Sequence, residues 1–95
     1  MRENPDIRID YSAKFLKQLK KSSLSIKIAF RKRLALFIQD QFHPQLNHHS
    51  LIGNLKGYKS INITGDWRAI FSEYKELERK VVVFEMLGTH SELYK

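Results

Sequence analysis

The first half of the chain carries apolar residues at three- and four-residue steps, the spacing of amphipathic helices. Ser12 is a suitable N-cap for a first helix, which ends at Ser22-Ser23. A second helix is predicted from about Leu24 to Gln41, because Pro44 stops it. Two helices joined by a short turn predict a helical hairpin. The residues expected to face the core are Phe15, Leu16, Leu19, Ile26, Phe30, Leu34, Phe37 and Ile38.

The second half changes to a period of two, which is typical of β-strands. Residues 60–64 alternate, Gly65-Asp66 supplies a turn, and residues 67–71 complete a predicted hairpin. The β-branched run 80–87 predicts a strand buried on both faces in the middle of a sheet. Residues 7–11 also alternate and predict an edge strand, whereas residues 42–57 have neither period and predict a loop.

The predicted element order is β-α-α-β-β-β. This order indicates an α+β fold in which an antiparallel sheet is covered on one face by the helical hairpin. A chain of 95 residues fills one hydrophobic core, so residues 1–95 are expected to form a single domain.

Charge narrows the class of partner. Seventeen Lys and Arg against ten Asp and Glu give a net charge of +7, and residues 12–39 contain no acid. Such a balance favours a polyanionic partner, either a nucleic acid or an acidic protein, and charge alone does not choose between them.

Several other classes are disfavoured by composition. The chain has no cysteine, so disulfides and thiolate metal sites are excluded, and the spacing of His43, His48 and His49 matches no metal-binding pattern. No metal or other cofactor is therefore expected. Residues 1–10 lack the apolar core of a signal peptide, and no apolar run is long enough to span a membrane. These observations predict a cytoplasmic protein without a membrane partner.

The polar residues near the predicted sheet suit cleavage of an RNA backbone. If the helices cover one face, the other is expected to present Ser60, Asn62, Trp67 and Arg68, close to a histidine-rich loop and to residues 88–90. Metal-free cleavage needs a proton acceptor for the 2′-hydroxyl, a cation for the phosphorane and a proton donor for the 5′-oxygen, and His, Asp and Arg supply these groups. The rings of Trp67 and Tyr94 can stack on unpaired bases. Such residues are also common on surfaces without any activity.

Three sequence blocks resemble a known family. They are His-Ser-Leu-Ile-Gly-Asn-Leu-Lys-Gly-Tyr at 49–58, Gly-Asp-Trp-Arg-Ala-Ile-Phe at 65–71 and Gly-Thr-His-Ser-Glu-Leu-Tyr at 88–94. Together they resemble the RelE/ParE superfamily of bacterial type II toxins, most of all its YafQ branch. The resemblance implies a RelE-like fold and a ribosome-dependent endoribonuclease that cuts mRNA in the A site without a metal. It also implies a cognate antitoxin as partner, in a complex that can bind operator DNA.

The same resemblance implies roles for individual residues. His90 is the leading acid or base, His49 a second one, and Arg68 stabilises the scissile phosphate. Tyr94 stacks on or near the reacting nucleotide, and Asp66 matches a functional aspartate. Four lysines on the basic face of the first predicted helix and three residues of the predicted sheet are expected to contact RNA. They are Lys14, Lys17, Lys20 and Lys21 on the helix, and Lys59, Asn62 and Trp67 on the sheet.

Two departures from the branch and several alternatives stay open. Asn62 stands where YafQ-like toxins carry a histidine, and Met86 where they carry an arginine, whose charge Arg68 could replace. A ParE-like inhibitor of DNA gyrase would share the fold without cutting RNA. A third reading is an inactive co-repressor acting with its antitoxin. The individual residues also have structural readings, such as turn formation by Asp66 and anchoring of the chain's end by Tyr94.

Overall fold

A computed structural model describes residues 7–94; residues 1–6 and Lys95, which the prediction of a single domain includes, lie outside the described residues. Residues 7–94 form five strands and three helices. They are β1 (Ile7–Tyr11), α1 (Ala13–Lys21), α2 (Leu24–Gln39), β2 (His49–Ser50), β3 (Lys59–Asn62), β4 (Trp67–Glu76), β5 (Arg79–Thr89) and α3 (His90–Leu93), with single 3-10 turns at Pro44–Leu46 and Gly53–Leu55.

The helical hairpin is as predicted. The Ser12 hydroxyl caps the start of α1 by accepting a hydrogen bond from the Phe15 amide. The Ser23 hydroxyl caps α2 in the same way, by accepting from the Ile26 amide. The second helix ends at Gln39, two residues before the predicted end, because Asp40 takes an extended conformation with φ −156°. No helix within residues 7–94 is long and apolar enough to cross a membrane.

The sheet order is β1-β5-β4-β3-β2. Strands β3, β4 and β5 pair antiparallel as predicted, and β1 lies at an edge as predicted. An additional short strand, β2, pairs antiparallel with β3. The sheet is nevertheless mixed, because β1 pairs parallel with β5. The direction of β1 is set by the residue that follows it. The Ser12 amide donates to the Phe84 carbonyl and the Ser12 hydroxyl donates to the Glu85 carbonyl, so the chain passes from β1 directly into α1 beside β5.

Two further segments differ from the sequence prediction. The predicted loop 42–57 contains the two-residue strand β2, which is too short to show a period. The predicted link 75–79 is mostly strand, since β4 and β5 extend to a tight turn in which Leu77 adopts φ 58°.

The core lies between the helical hairpin and one face of the sheet. It is built around phenylalanine rings, with neighbouring centroids 5.1 to 5.9 Å apart. Val81 and Val82 on β5 are both fully buried, as the apolar run predicted, whereas Leu16 of α1 is half exposed. The rings of the cluster are Phe15, Phe30, Phe37, Phe71 and Phe84.

The strand register assigns residues to the two faces of the sheet. Directly opposed residues in an antiparallel pair share a face. Lys59 is paired with Phe71, a core residue, and therefore lies on the helix-covered face. Asn62 is paired with Arg68, and both lie on the other face, which we call the open face. The candidate site lies on this open face.

Candidate functional site

A groove of about 310 Å³ lies at one end of the open face. Its walls come from segments far apart in sequence: the chain around β2, the start of β4, and α3. It brings together four of the predicted catalytic residues. The residues that line it are Asn47, His49, Leu51, Arg68, His90 and Tyr94.

His49 is exposed at the groove, and one contact fixes its neutral tautomer. Its Nδ1 lies 2.7 Å from the carbonyl oxygen of Asn47. Because a carbonyl only accepts hydrogen bonds, Nδ1 carries the proton and Nε2 carries the lone pair. Asn47 reaches this position through a left-handed backbone, φ 48° and ψ 48°, which asparagine tolerates better than most residues. His49 can therefore accept a proton at Nε2.

His90 is the first residue of α3, and its backbone is held from two sides. Its amide donates to the Asp66 carbonyl at 2.9 Å. Thr89 forms a capping box with Glu92, in which the Glu92 carboxylate accepts from the Thr89 amide at 2.8 Å. Asp66 thus supports His90 through its main chain, while the Asp66 residue itself is exposed at the turn between β3 and β4.

Tyr94 closes the groove beside His90. The two rings have centroids 4.5 Å apart at an angle of 57°. The Tyr94 hydroxyl donates to the Ser60 hydroxyl oxygen at 3.2 Å, so the ring is held over β3. A half-buried aromatic ring in this position offers a face to a nucleotide base.

Arg68 supplies the positive charge of the groove. Its Nη1 donates to the carbonyls of Thr64, Gly65 and Trp67 at 3.1, 3.2 and 3.1 Å. These bonds fix the guanidinium against the turn and, in the described part of the chain, occupy only Nη1. The Nε and Nη2 donors are left for an anion, which suits bidentate contact with a phosphate.

Asn62 lies beside Arg68 on the open face. Its Oδ1 atom is buried and has no hydrogen-bond partner among residues 7–94. An unsatisfied buried carbonyl of this kind lowers the stability of the fold.

None of the seven predicted RNA-contacting residues lines the groove that contains His49 and His90. Lys59 points to the helix-covered face, where its Nζ lies 2.6 Å from Glu73 Oε1. Trp67 also alternates away from Arg68 and lines a separate groove of about 610 Å³ beside α1, together with Met86. Sequence alternation could have separated these residues from Arg68, but only the register shows which face is covered.

The four predicted helix lysines are all exposed. Lys14 and Lys21 line the groove that contains Trp67, and Lys20 lines another groove between α1 and α2. They form a basic surface outside the groove that contains His49 and His90. This surface is defined by Lys14, Lys17, Lys20 and Lys21.

A charged cluster under the helices contains two side chains with a shifted pKa, Glu73 and His48. Burial alone would raise the pKa of Glu73, but Lys59 and Lys80 outweigh that effect and hold its pKa below the ordinary value. Burial lowers the pKa of His48, whose ring stacks on Phe42 with centroids 4.5 Å apart. Among residues 7–94, no three His, Asp or Glu side chains are grouped so that they could hold a metal ion.

Comparison with known proteins gives both a family and a fold. A family profile described as "Bacterial toxin of type II toxin-antitoxin system, YafQ" matches residues 7–95. The crystal structure of YafQ from Escherichia coli is 23% identical, with a TM-score of 0.69 over 93% of this chain and 98% of that one. YafQ in the E. coli DinJ-YafQ toxin-antitoxin complex is 23% identical, with a TM-score of 0.68 over 95% and 99%.

A more distant structure shares the same fold. The YoeB/ParE toxin from Agrobacterium tumefaciens is 12% identical, with a TM-score of 0.71 over 87% of this chain and 98% of that one. A search of curated proteins gives no significant match.

Proposed function

This chain belongs to the YafQ family of bacterial type II toxins, and from that premise we propose that it is an endoribonuclease that cleaves mRNA on the ribosome and so inhibits translation. The observation that supports the proposal most strongly is the grouping of two histidines, an arginine and a tyrosine in one groove. The protein is proposed to act in the cytoplasm, where mRNA is translated on ribosomes.

The reaction uses the 2′-hydroxyl of the RNA itself. His49 Nε2 accepts the 2′-hydroxyl proton as the oxygen attacks the adjacent phosphorus. The bond from phosphorus to the 5′-oxygen breaks, and protonated His90 donates a proton to that oxygen. The products are a 2′,3′-cyclic phosphate and a 5′-hydroxyl, and the reaction needs no cofactor.

Arg68 and Tyr94 serve the transition state in different ways. The Arg68 guanidinium is already oriented by the turn carbonyls, so it can stabilise the phosphorane charge with little reorganisation. Tyr94 stacks on a base next to the scissile phosphate and holds it near His90. A proton-carrying role for the Asp66 carboxylate stays a prediction, since its observed contact with His90 is made by the main chain.

The ribosome supplies the rest of the binding surface. The groove is small, and the exposed helix lysines lie outside it on α1. Cations on such a face bind RNA phosphates by releasing counterions. We expect the α1 lysines to contact ribosomal RNA while the groove receives the mRNA. The lysines assigned to this contact are Lys14, Lys17, Lys20 and Lys21.

The natural inhibitor is a cognate antitoxin with an acidic segment. YafQ of E. coli forms a complex with DinJ, and the net charge of +7 favours an acidic partner here. The segment either covers Arg68 and His90 or displaces α3 with Tyr94, and the complex binds operator DNA. A structure of the complex that leaves both Arg68 and α3 uncovered would contradict this.

End-group analysis in a reconstituted translation reaction tests the proposed function. The purified protein should cut mRNA on ribosomes and leave 5′-hydroxyl ends, which polynucleotide kinase labels without prior phosphatase treatment. His90→Ala should leave the mRNA intact. An intact mRNA with the unmodified protein would refute the proposal; inhibition of gyrase supercoiling would then favour the ParE-like activity, and neither effect would favour the co-repressor.

A further inference from the structure

Ser60 is fully buried, an unusual state for a polar side chain. Within residues 7–94 it is the one polar or charged residue that the fold buries completely, at 0% exposure. The residue paired with it on β4, Ile70, is also fully buried, so an apolar side chain would suit this position better. Burying a hydroxyl costs free energy unless the group is hydrogen-bonded. A serine in this position therefore requires a partner.

That partner is Tyr94, whose hydroxyl donates to the Ser60 oxygen at 3.2 Å. Ser60 also lies directly opposite His49 in the pairing of β2 with β3. Residues so opposed share a face of the sheet, so the serine lies under the groove between His49 and the ring of Tyr94. Through that ring it is linked to His90, since the two ring centroids are 4.5 Å apart.

We propose that Ser60 is a positioning residue for the RNA-cleaving reaction: its hydroxyl fixes the Tyr94 ring beside His90 and so sets where the nucleotide base stacks. This inference rests on the proposed function. The capping of α3 constrains the backbone before Tyr94. Among the hydrogen bonds within residues 7–94, only the contact with Ser60 holds the hydroxyl end of the Tyr94 side chain. Without that contact the ring gains freedom to rotate, and the bound base loses its orientation.

A double-mutant cycle separates this role from simple packing. Ser60→Ala and Tyr94→Phe each remove one hydroxyl of the pair and keep the core shape and the ring. Each should lower kcat on programmed ribosomes by about three- to tenfold, as expected for one hydrogen bond, with little change in KM. The double variant should lose no more than either single one. Ser72→Ala is the matched control, since it removes a half-buried strand hydroxyl that bonds to Glu85.

The results that would refute a positioning role for Ser60 differ from those that would refute RNA cleavage. A wild-type rate for Ser60→Ala, losses that add in the double variant, or an effect on KM alone would refute the positioning role. NMR gives a reading independent of activity, because the Tyr94 ring current shifts the His90 ring protons. These shifts should move in Ser60→Ala towards their values in Tyr94→Ala; unchanged shifts would refute the inference even if the unmodified protein cuts no RNA.

Discussion

Replacing Arg68 with lysine tests whether the guanidinium itself is needed. The substitution keeps the positive charge but leaves a single nitrogen. In the structure Nη1 bonds to three turn carbonyls while Nε and Nη2 stay available for an anion. One ammonium group cannot hold the turn and bind a phosphate in two places at once. Arg68→Lys should therefore impair catalysis much more than it impairs folding.

Both effects have an expected size. Loss of one oriented donor to a developing oxyanion lowers kcat by about 10²- to 10³-fold. The turn contacts are half-buried and share the hydrogens of one nitrogen, so their loss should cost about 1 kcal/mol, the size of a typical single hydrogen bond. For a domain of this size that lowers Tm by about 4–8 °C. The variant should still be folded at 25 °C.

The assay is single-turnover cleavage of mRNA on ribosomes, with thermal unfolding measured in parallel. Arg79→Lys is the control, because Arg79 is an exposed arginine at the other end of the sheet, and it should keep both the rate and Tm. A rate for Arg68→Lys within about threefold of the unmodified protein would refute the assigned role. So would a loss explained entirely by the unfolded fraction.

Three further predictions concern other parts of the molecule. Asn62→Val removes a buried unpaired carbonyl, so thermal unfolding should show a Tm raised by about 4–8 °C while the cleavage rate falls; a lowered Tm would contradict this. Burial lowers the pKa of His48 from 6.5, so below about pH 6.5 the unfolded chain binds protons more readily than the folded one. In urea unfolding the free energy of unfolding should therefore fall as the pH drops below about 6.5, and it should fall less in His48→Gln. Four Lys→Gln changes on α1 should weaken ribosome binding at least tenfold and reduce its salt dependence, and unchanged growth inhibition would count against the ribosome contact. The changed residues are Lys14, Lys17, Lys20 and Lys21.

Local patterns predicted most of the fold because they reflect local physics. The serine caps, the helical stripes and the β-branched run of β5 act within a few residues of each other, and the structure confirms them. The parallel pairing of β1 could not be predicted this way, because it depends on contacts between Ser12 and residues on β5. Strand direction at an edge is set by such distant bonds.

In the candidate site, too, some features could be predicted from the sequence and others depend on distant contacts. The sequence blocks supplied His49, Arg68, His90 and Tyr94, which the fold brings into one groove. Lys59 was grouped with them on the family resemblance, although strand alternation puts it on the opposite face from Asn62, as the register confirms. The sequence placed Ser60 on the open face but gave it no role, because only the pairing with β2 and the position of Tyr94 after α3 give its hydroxyl a partner.

Primer extension on cellular mRNA, after the unmodified chain or His90→Ala is induced, shows directly whether the protein cleaves mRNA during translation; growth is followed in parallel. We expect growth arrest and new 5′ ends in frame with codons for the unmodified chain, and neither for the variant. Growth arrest without new ends, or the same ends from both proteins, would refute the proposed cleavage.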